Sequence, residues 1–166
     1  HVFAACSTLV SIDIPEQVTI IKAGTFASCP KLTSINIPDN ITTIERDAFW
    51  GCKSITSIVL PNNLTILGGQ AFRHCTSLVS ITLPNKLQNI GNYAFAECDS
   101  VTTIHTPDRT GLEAIEWGDY VFAYEHGLTH IEFYNEYLAS HMFYYADNLL
   151  ELTVPGEVNA EGVITT

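Results

Sequence analysis

The chain has 166 residues, a length suited to one domain, and its 46% hydrophobic content is enough to build a core. Only 15% of residues are charged, below the usual quarter of a globular domain, and Ser, Thr, Asn and Gly make up the difference, which suits strands and turns better than long helices. The net charge of −11 is concentrated: residues 1–96 carry six basic and five acidic side chains, whereas residues 97–166 carry thirteen acidic side chains against Arg109 alone. Such a surface repels phosphate backbones and anionic lipid, so nucleic acid and membrane are not expected partners. No stretch approaches the ~20 apolar residues that span a bilayer. The chain starts at His1 rather than Met and opens and closes partway through a repeat, which reads as a processed chain or a piece of a longer protein.

Along the chain the first signal is a period of 23. It relates Phe3, Phe26, Phe49, Phe72 and Phe95; Cys6, Cys29, Cys52, Cys75 and Cys98; and Pro15, Pro38, Pro61, Pro84 and Pro107. Apolar columns lie between these marks: Leu9, Leu32, Ile55, Leu78, Val101; then Ile12, Ile35, Ile58, Ile81, Ile104; then Ile14, Ile37, Leu60, Leu83 with Thr106 closing the series. Beyond the Pro come Val18, Ile41, Leu64, Leu87 and Ile21, Ile44, Leu67, Ile90. Two degraded copies follow, centred on Phe122 and Phe143, with Glu125 and Ala146 in the Cys position and Trp117 in place of an Ile. The reading is one domain of about seven repeats over 1–166, regular over 1–107 and irregular, acidic and aromatic-rich over 108–166.

A unit this short cannot bury its apolar side alone, so copies must stack like on like. The segment L-x-x-I-x-I predicts a short strand that pairs in parallel with its neighbours about 4.8 Å away. Pro ends each strand because it has no N–H for the ladder. The segment L-x-x-I after the Pro predicts a second extended piece on the opposite side, and A-F-x-x-C predicts a tight helical turn with Phe plugging the core.

Taken together, Leu32-x-x-Ile35-x-Ile37-Pro38, Ile44-x-x-x-Ala48-Phe49-x-x-Cys52 and their copies resemble the BspA-type leucine-rich repeat, over nearly the whole chain. The resemblance implies a right-handed, β-rich solenoid of the α/β class, with a parallel sheet on one face and short extended segments and helical turns on the other. It also implies a cell-surface or secreted protein. Members of the family are linked to adhesion, including to matrix and plasma proteins such as fibronectin and fibrinogen. It carries over no catalytic residue and no cofactor.

The candidate chemistry is sparse. Metal sites need short paired Cys spacings, and every Cys spacing here is 23. Five thiols in one column with parallel Cβ vectors suit a ladder of free, buried cysteines better than disulfides. His74 precedes Cys75, but successive residues point different ways, which disfavours a nucleophile pair. His105, His130 and Glu132 occupy outward positions of neighbouring strands, either as a metal or pH-sensitive cluster or as ordinary polar surface. The outward rows otherwise offer small side chains, with Asn36, Val59 and Thr82 as candidate contacts, or simply β-compatible surface. The irregular part gathers Trp117, Tyr120, Tyr124, Tyr134, Tyr137, Tyr144 and Tyr145, which either fill the gaps of degraded repeats or present a binding edge. The sequons at Asn40 and Asn63 share one repeat position, so repetition explains them better than glycosylation. The sequence therefore predicts a non-catalytic protein-binding or adhesion module that uses Asn36, Val59, Thr82, His105, His130, Glu132, Tyr134, Tyr137, Tyr144 and Tyr145, with no cofactor or metal. Its partner would be a protein, such as a host matrix or plasma protein. The alternative is a stalk that presents another domain.

Overall fold

The phenylalanines stack. The computed structural model describes residues 2–107, 114–132, 141–153, 157–158 and 164–165. Within it, seven rings from Phe3 to Phe143 form one column, with neighbouring centroids 5.0–5.7 Å apart and planes within 14°. Offset stacking at a rise near 4.8 Å gives such distances. The Leu, Ile and Cys columns bury beside it, and Leu32, Ile55, Leu78, Val101 and Leu128 are all fully enclosed.

On one side run three-residue strands: β1 (Ser11–Asp13), β3 (Ser34–Asn36), β6 (Ser80–Thr82), β8 (Thr103–His105), β10 (His130–Glu132) and β11 (Glu151–Thr153). On another run β2 (Ile20–Ile21), β4 (Thr43–Ile44), β5 (Ile66–Leu67), β7 (Asn89–Ile90) and β9 (Glu116–Trp117), which form one continuous five-stranded parallel sheet. Pairing on both sides is in the register that the columns require, as in Ile12 opposite Ile35 and Ile44 opposite Leu67. A short antiparallel pair, β12 (Glu157–Val158) with β13 (Ile164–Thr165), follows.

One expected strand is missing. Ser57–Val59 forms no ladder, so the first sheet is split into β1–β3 and β6–β8–β10–β11. Val59 is 85% exposed there, and water can replace the few hydrogen bonds that a three-residue edge would make. Stacking across this boundary rests mainly on the other two seams, since β4 pairs β5 and the turn amides of 47, 49 and 51 donate to the next copy, while beside the break Val79 N–H still donates to Thr56 O at 3.1 Å.

The turn around each Phe also departs from expectation: no helix occurs among the described residues. Residues two before and two after the Phe adopt left-handed backbone, with φ between 55° and 71°. The first series is Gly24, Asp47, Gln70, Tyr93, Tyr120 and His141; the second is Ala5, Ser28, Gly51, His74, Glu97, Tyr124 and Tyr145. A left-handed residue costs roughly 1–2 kcal/mol when it is not Gly. The return is a third ladder. Alternate amides leave the turn, with Gly24 N–H donating to Arg46 O, Phe26 to Ala48 O and Ser28 to Trp50 O. The intervening amides of Thr25 and Ala27 bond three residues back inside the turn. An α-helical turn would keep its amides for itself, whereas this one spends half of them on its neighbour.

The cysteines are free, and Cys29, Cys52, Cys75 and Cys98 are buried. Each of these four donates its thiol to the Phe carbonyl of the preceding copy, as Cys52 Sγ does to Phe26 O at 3.1 Å. Burial pushes the Cys52 thiol up to about 12 and holds Cys75 and Cys98 well above the usual thiol range.

Candidate functional site

The left-handed turns decide which side chains line the third face. Three columns reach it: the residues two before, one after and two after each Phe. In the first two copies the residues one and two after the Phe are small, with Ala4, Ala5, Ala27 and Ser28 lining an open groove of about 460 Å³ together with Arg46, Trp50, Arg73 and His74. From Trp50 onward the face becomes aromatic. The Trp50 ring meets His74 edge-on at 5.9 Å. Tyr93 stacks on Tyr120 at 4.9 Å and 2°, and Tyr120 stacks on His141 at 4.9 Å and 12°. In the neighbouring column Tyr124 stacks on Tyr145 at 5.6 Å, and Tyr144 meets Tyr120, Tyr124, His141 and Tyr145 edge-on. The Tyr145 hydrogen bond holds the Tyr144 phenol above its ordinary range.

Arg73 joins the two ends of this strip. Its guanidinium lies 5.4 Å from the Tyr93 ring centre, its Nε donates to Glu97 Oε1 at 2.9 Å, and Nη1 donates to Gln70 Oε1 at 3.1 Å. His74 Nε2 sits 2.7 Å from the other Glu97 oxygen. These pairs are only partly exposed, so they pin the side chains more firmly than open-surface pairs do. Trp50, Tyr144 and Tyr145 are 36%, 40% and 55% exposed. Large apolar rings at that exposure, held by backbone and ring contacts, suit binding anchors.

The outward strand face looks different. Asn36, Thr82 and His105 are exposed on β3, β6 and β8, with Thr82 and His105 in register. Val59 is exposed in the unpaired stretch. His130 and Glu151 pair across β10 and β11 at 3.2 Å. His105 and His130 are not lateral neighbours: His130 sits opposite Thr103, and His105 opposite Glu132. The Glu132 side chain, Tyr134 and Tyr137 lie outside the described residues. Among the described residues no three His, Cys, Asp or Glu side chains are arranged to hold a metal ion. Of the expected contacts, Tyr144 and Tyr145 therefore sit on the turn face, away from the strand-face group. Tyr93, Trp50 and Arg73, to which the sequence alone assigns no site role, join them there, as does His74, whose sequence signal is only its place before Cys75. The signal was present in columns flanking the Phe, masked by reading that stretch as a helical turn with one inward residue.

A family model for the BspA-type leucine-rich-repeat region matches residues 1–112 and 42–162, in six copies. The chain belongs to this family. A leucine-rich repeat protein of Bacteroides ovatus superposes with a TM-score of 0.80 and 32% identity, over 92% of this chain and 39% of that one. The Treponema pallidum leucine-rich repeat protein gives 0.66 and 28%, over 93% and 61%. A leucine-rich cell-surface protein of Faecalibacterium prausnitzii gives 0.51 and 18%, over 99% and 64%, a likeness of fold alone. This BspA-type chain thus spans between 39% and 64% of the length of those relatives. No curated protein matches it. The fold is a leucine-rich-repeat solenoid, and leucine-rich repeats are in general scaffolds for protein interaction.

Proposed function

We propose that this chain is a non-catalytic protein-binding module of a cell-surface or secreted protein, and that it engages its partner through the turn face from Trp50 to Tyr145. The carrying observation is the run of part-exposed rings fixed along one face, where the strand face offers mostly small polar side chains. Tyr120 is stacked on both faces, Tyr93 carries Tyr120 with Arg73 near its ring, and Tyr124 carries Tyr145, so few open ring faces are left among them. Sugars pack on open ring faces, so the arrangement favours a protein partner, met by ring edges and hydroxyls. The acidic surplus over 97–166 favours a partner surface bearing Lys and Arg. The surface location rests on the family resemblance and on the F. prausnitzii neighbour, itself described as a cell-surface protein. Tyr134 and Tyr137, in the same acidic, aromatic-rich part of the sequence, are proposed as further contacts, and Glu132, opposite His105 on β10, as an acidic contact at the margin of the strand face.

The test is binding of the chain to immobilised fibronectin, fibrinogen and other matrix or plasma proteins. Replacing Tyr120, Tyr144 and Tyr145 together by Ser should weaken binding at least ~10-fold, as lost aromatic anchors do. Replacing Asn36, Thr82 and His105 together by Ala should leave it within ~2-fold, as near-neutral contacts do. The reverse pattern would move the site to the strand face. Binding to none of them would favour a stiff stalk, a role that the three parallel seams also suit.

A further inference from the structure

We infer that Glu125 is an acid-dependent latch between the copies of Phe95 and Phe122, closed while its carboxyl keeps its proton and loosened when the proton leaves. Glu125 occupies the next position of the cysteine column and is as completely buried as the thiols before it. In earlier copies the Cys amide donates to the carbonyl of its own Phe, as Cys52 to Phe49 at 3.1 Å and Cys75 to Phe72 at 3.2 Å. Here the Cys98 amide donates instead to Glu125 Oε1 at 3.0 Å. The other oxygen, Oε2, is buried without a hydrogen-bond partner. A neutral carboxyl has an O–H, which can do for the Phe95 carbonyl what each thiol does for the Phe before it. A carboxylate has no donor and leaves a bare charged oxygen in the core.

The surroundings do not neutralise that charge. The preceding copy presents Cys98, Asp99 and Glu97, the latter two both acidic. In the following copy the column position is Ala146, and the adjacent His126 is engaged with Asp147 at 3.6 Å. Burial, reinforced by Asp99 and Glu97, pushes the Glu125 carboxyl up to about 8 from 4.5, against the lowering effect of the Cys98 amide. The folded chain therefore holds a proton that the unfolded chain releases above about 4.5. Stability from this group is complete at low pH, falls as pH rises from about 4.5 to about 8, and is level beyond. Because each copy touches only its neighbours, the loss is felt first at this seam.

Amide hydrogen exchange of the 166-residue chain at pH 5, 6, 7 and 8, corrected for the intrinsic rate, tests this. The reporters are the amides crossing the seam, Phe95 to Val121 O and Glu97 to Ala123 O; Phe26 and Phe49 serve as distant controls. Their opening constant should rise up to ~10-fold per pH unit relative to the controls, the slope of one proton released. Glu125→Gln, which cannot ionise, and Glu125→Cys, which restores the column, should both flatten the profile, and Glu125→Cys should also protect the seam at pH 8. A flat wild-type profile would overturn the inference. So would a slope that survives in either variant. If Glu125→Gln fails to fold, Glu125→Cys carries the same expectation.

Discussion

Cys75 and Phe49 lie 26 residues apart in sequence yet share one hydrogen bond, Sγ to carbonyl oxygen at 3.3 Å, across a copy boundary. The same bond recurs from Cys29 to Cys98, so each thiol satisfies a buried carbonyl while filling a small gap beside the Phe column. These thiols should be chemically silent. An aromatic disulfide reagent at pH 8 should titrate Cys6, the one thiol that is not buried, and reach the other four only on unfolding. Fast reaction of four or five thiols in the native chain would contradict the buried column. Cys52→Ala should cost about 1–2 kcal/mol in urea unfolding, from a lost donor and a small cavity.

The two glycines Gly51 and Gly91 should respond differently to a methyl group. Gly51 has φ +71°, but a Cβ there would make only ordinary van der Waals contact, the nearest with Ser28 at 3.8 Å. Gly51→Ala should cost about 1 kcal/mol, the conformational term alone. A Cβ on Gly91 would run into the backbone of Gly69 in the preceding copy, which cannot yield without breaking the stack. Gly91→Ala should exceed about 3 kcal/mol or prevent folding, the range of severe overpacking. Equal midpoint shifts in thermal unfolding would refute the close approach.

Asn40 illustrates how a motif changes meaning once placed. Its side-chain amide donates to Glu16 O and to Val18 O in the preceding copy, and Asn63 donates likewise to Asp39 O. The nitrogen that a glycan would need is already engaged. Asn40→Asp should lower stability by about 1–3 kcal/mol, because it removes two donations and sets a carboxylate against two carbonyls. Expressed with a glycosylation machinery, the folded wild-type chain should show the unmodified mass. Full occupancy at Asn40 would contradict this turn geometry.

What the sequence disclosed was whatever repeats at 23. The Phe, Cys and Pro columns, the strand registers and the family follow from spacing alone, and Ile12 sits opposite Ile35 as the columns require. The turns were illegible for a physical reason. Positive φ is announced most clearly by Gly and more weakly by Asn, Asp and His; in the two left-handed columns Gly24 and Gly51 announce it, whereas Gln70, Glu97 and Tyr124 adopt it because the neighbouring copy takes their amides. That cause lies 20 or more residues away and leaves no local mark. A helical turn with one inward residue assigns no face to Tyr93 or Trp50. Tyr144 and Tyr145 stand out by composition, but their stacking partners depend on the turn. The break at Ser57–Val59 is equally invisible, since Ser57, Ile58 and Val59 continue their columns without interruption.

The Phe column makes the last prediction the most discriminating. Phe72 is enclosed between Phe49 at 5.0 Å and Phe95 at 5.4 Å, whereas among the described residues Phe3 stacks on Phe26 alone, at 5.6 Å, and is 36% exposed. If stability comes from nearest-neighbour stacking, cost should follow the number of covered faces. Phe72→Ala should then lose about 3–5 kcal/mol, the full cavity cost of a buried ring, and Phe3→Ala about 1–2 kcal/mol. Phe72→Leu should recover part of the loss, since it restores much of the volume without the ring. Urea unfolding of the three variants decides between this picture and one in which each copy is stable alone, where Phe3→Ala and Phe72→Ala would shift the midpoint by the same amount.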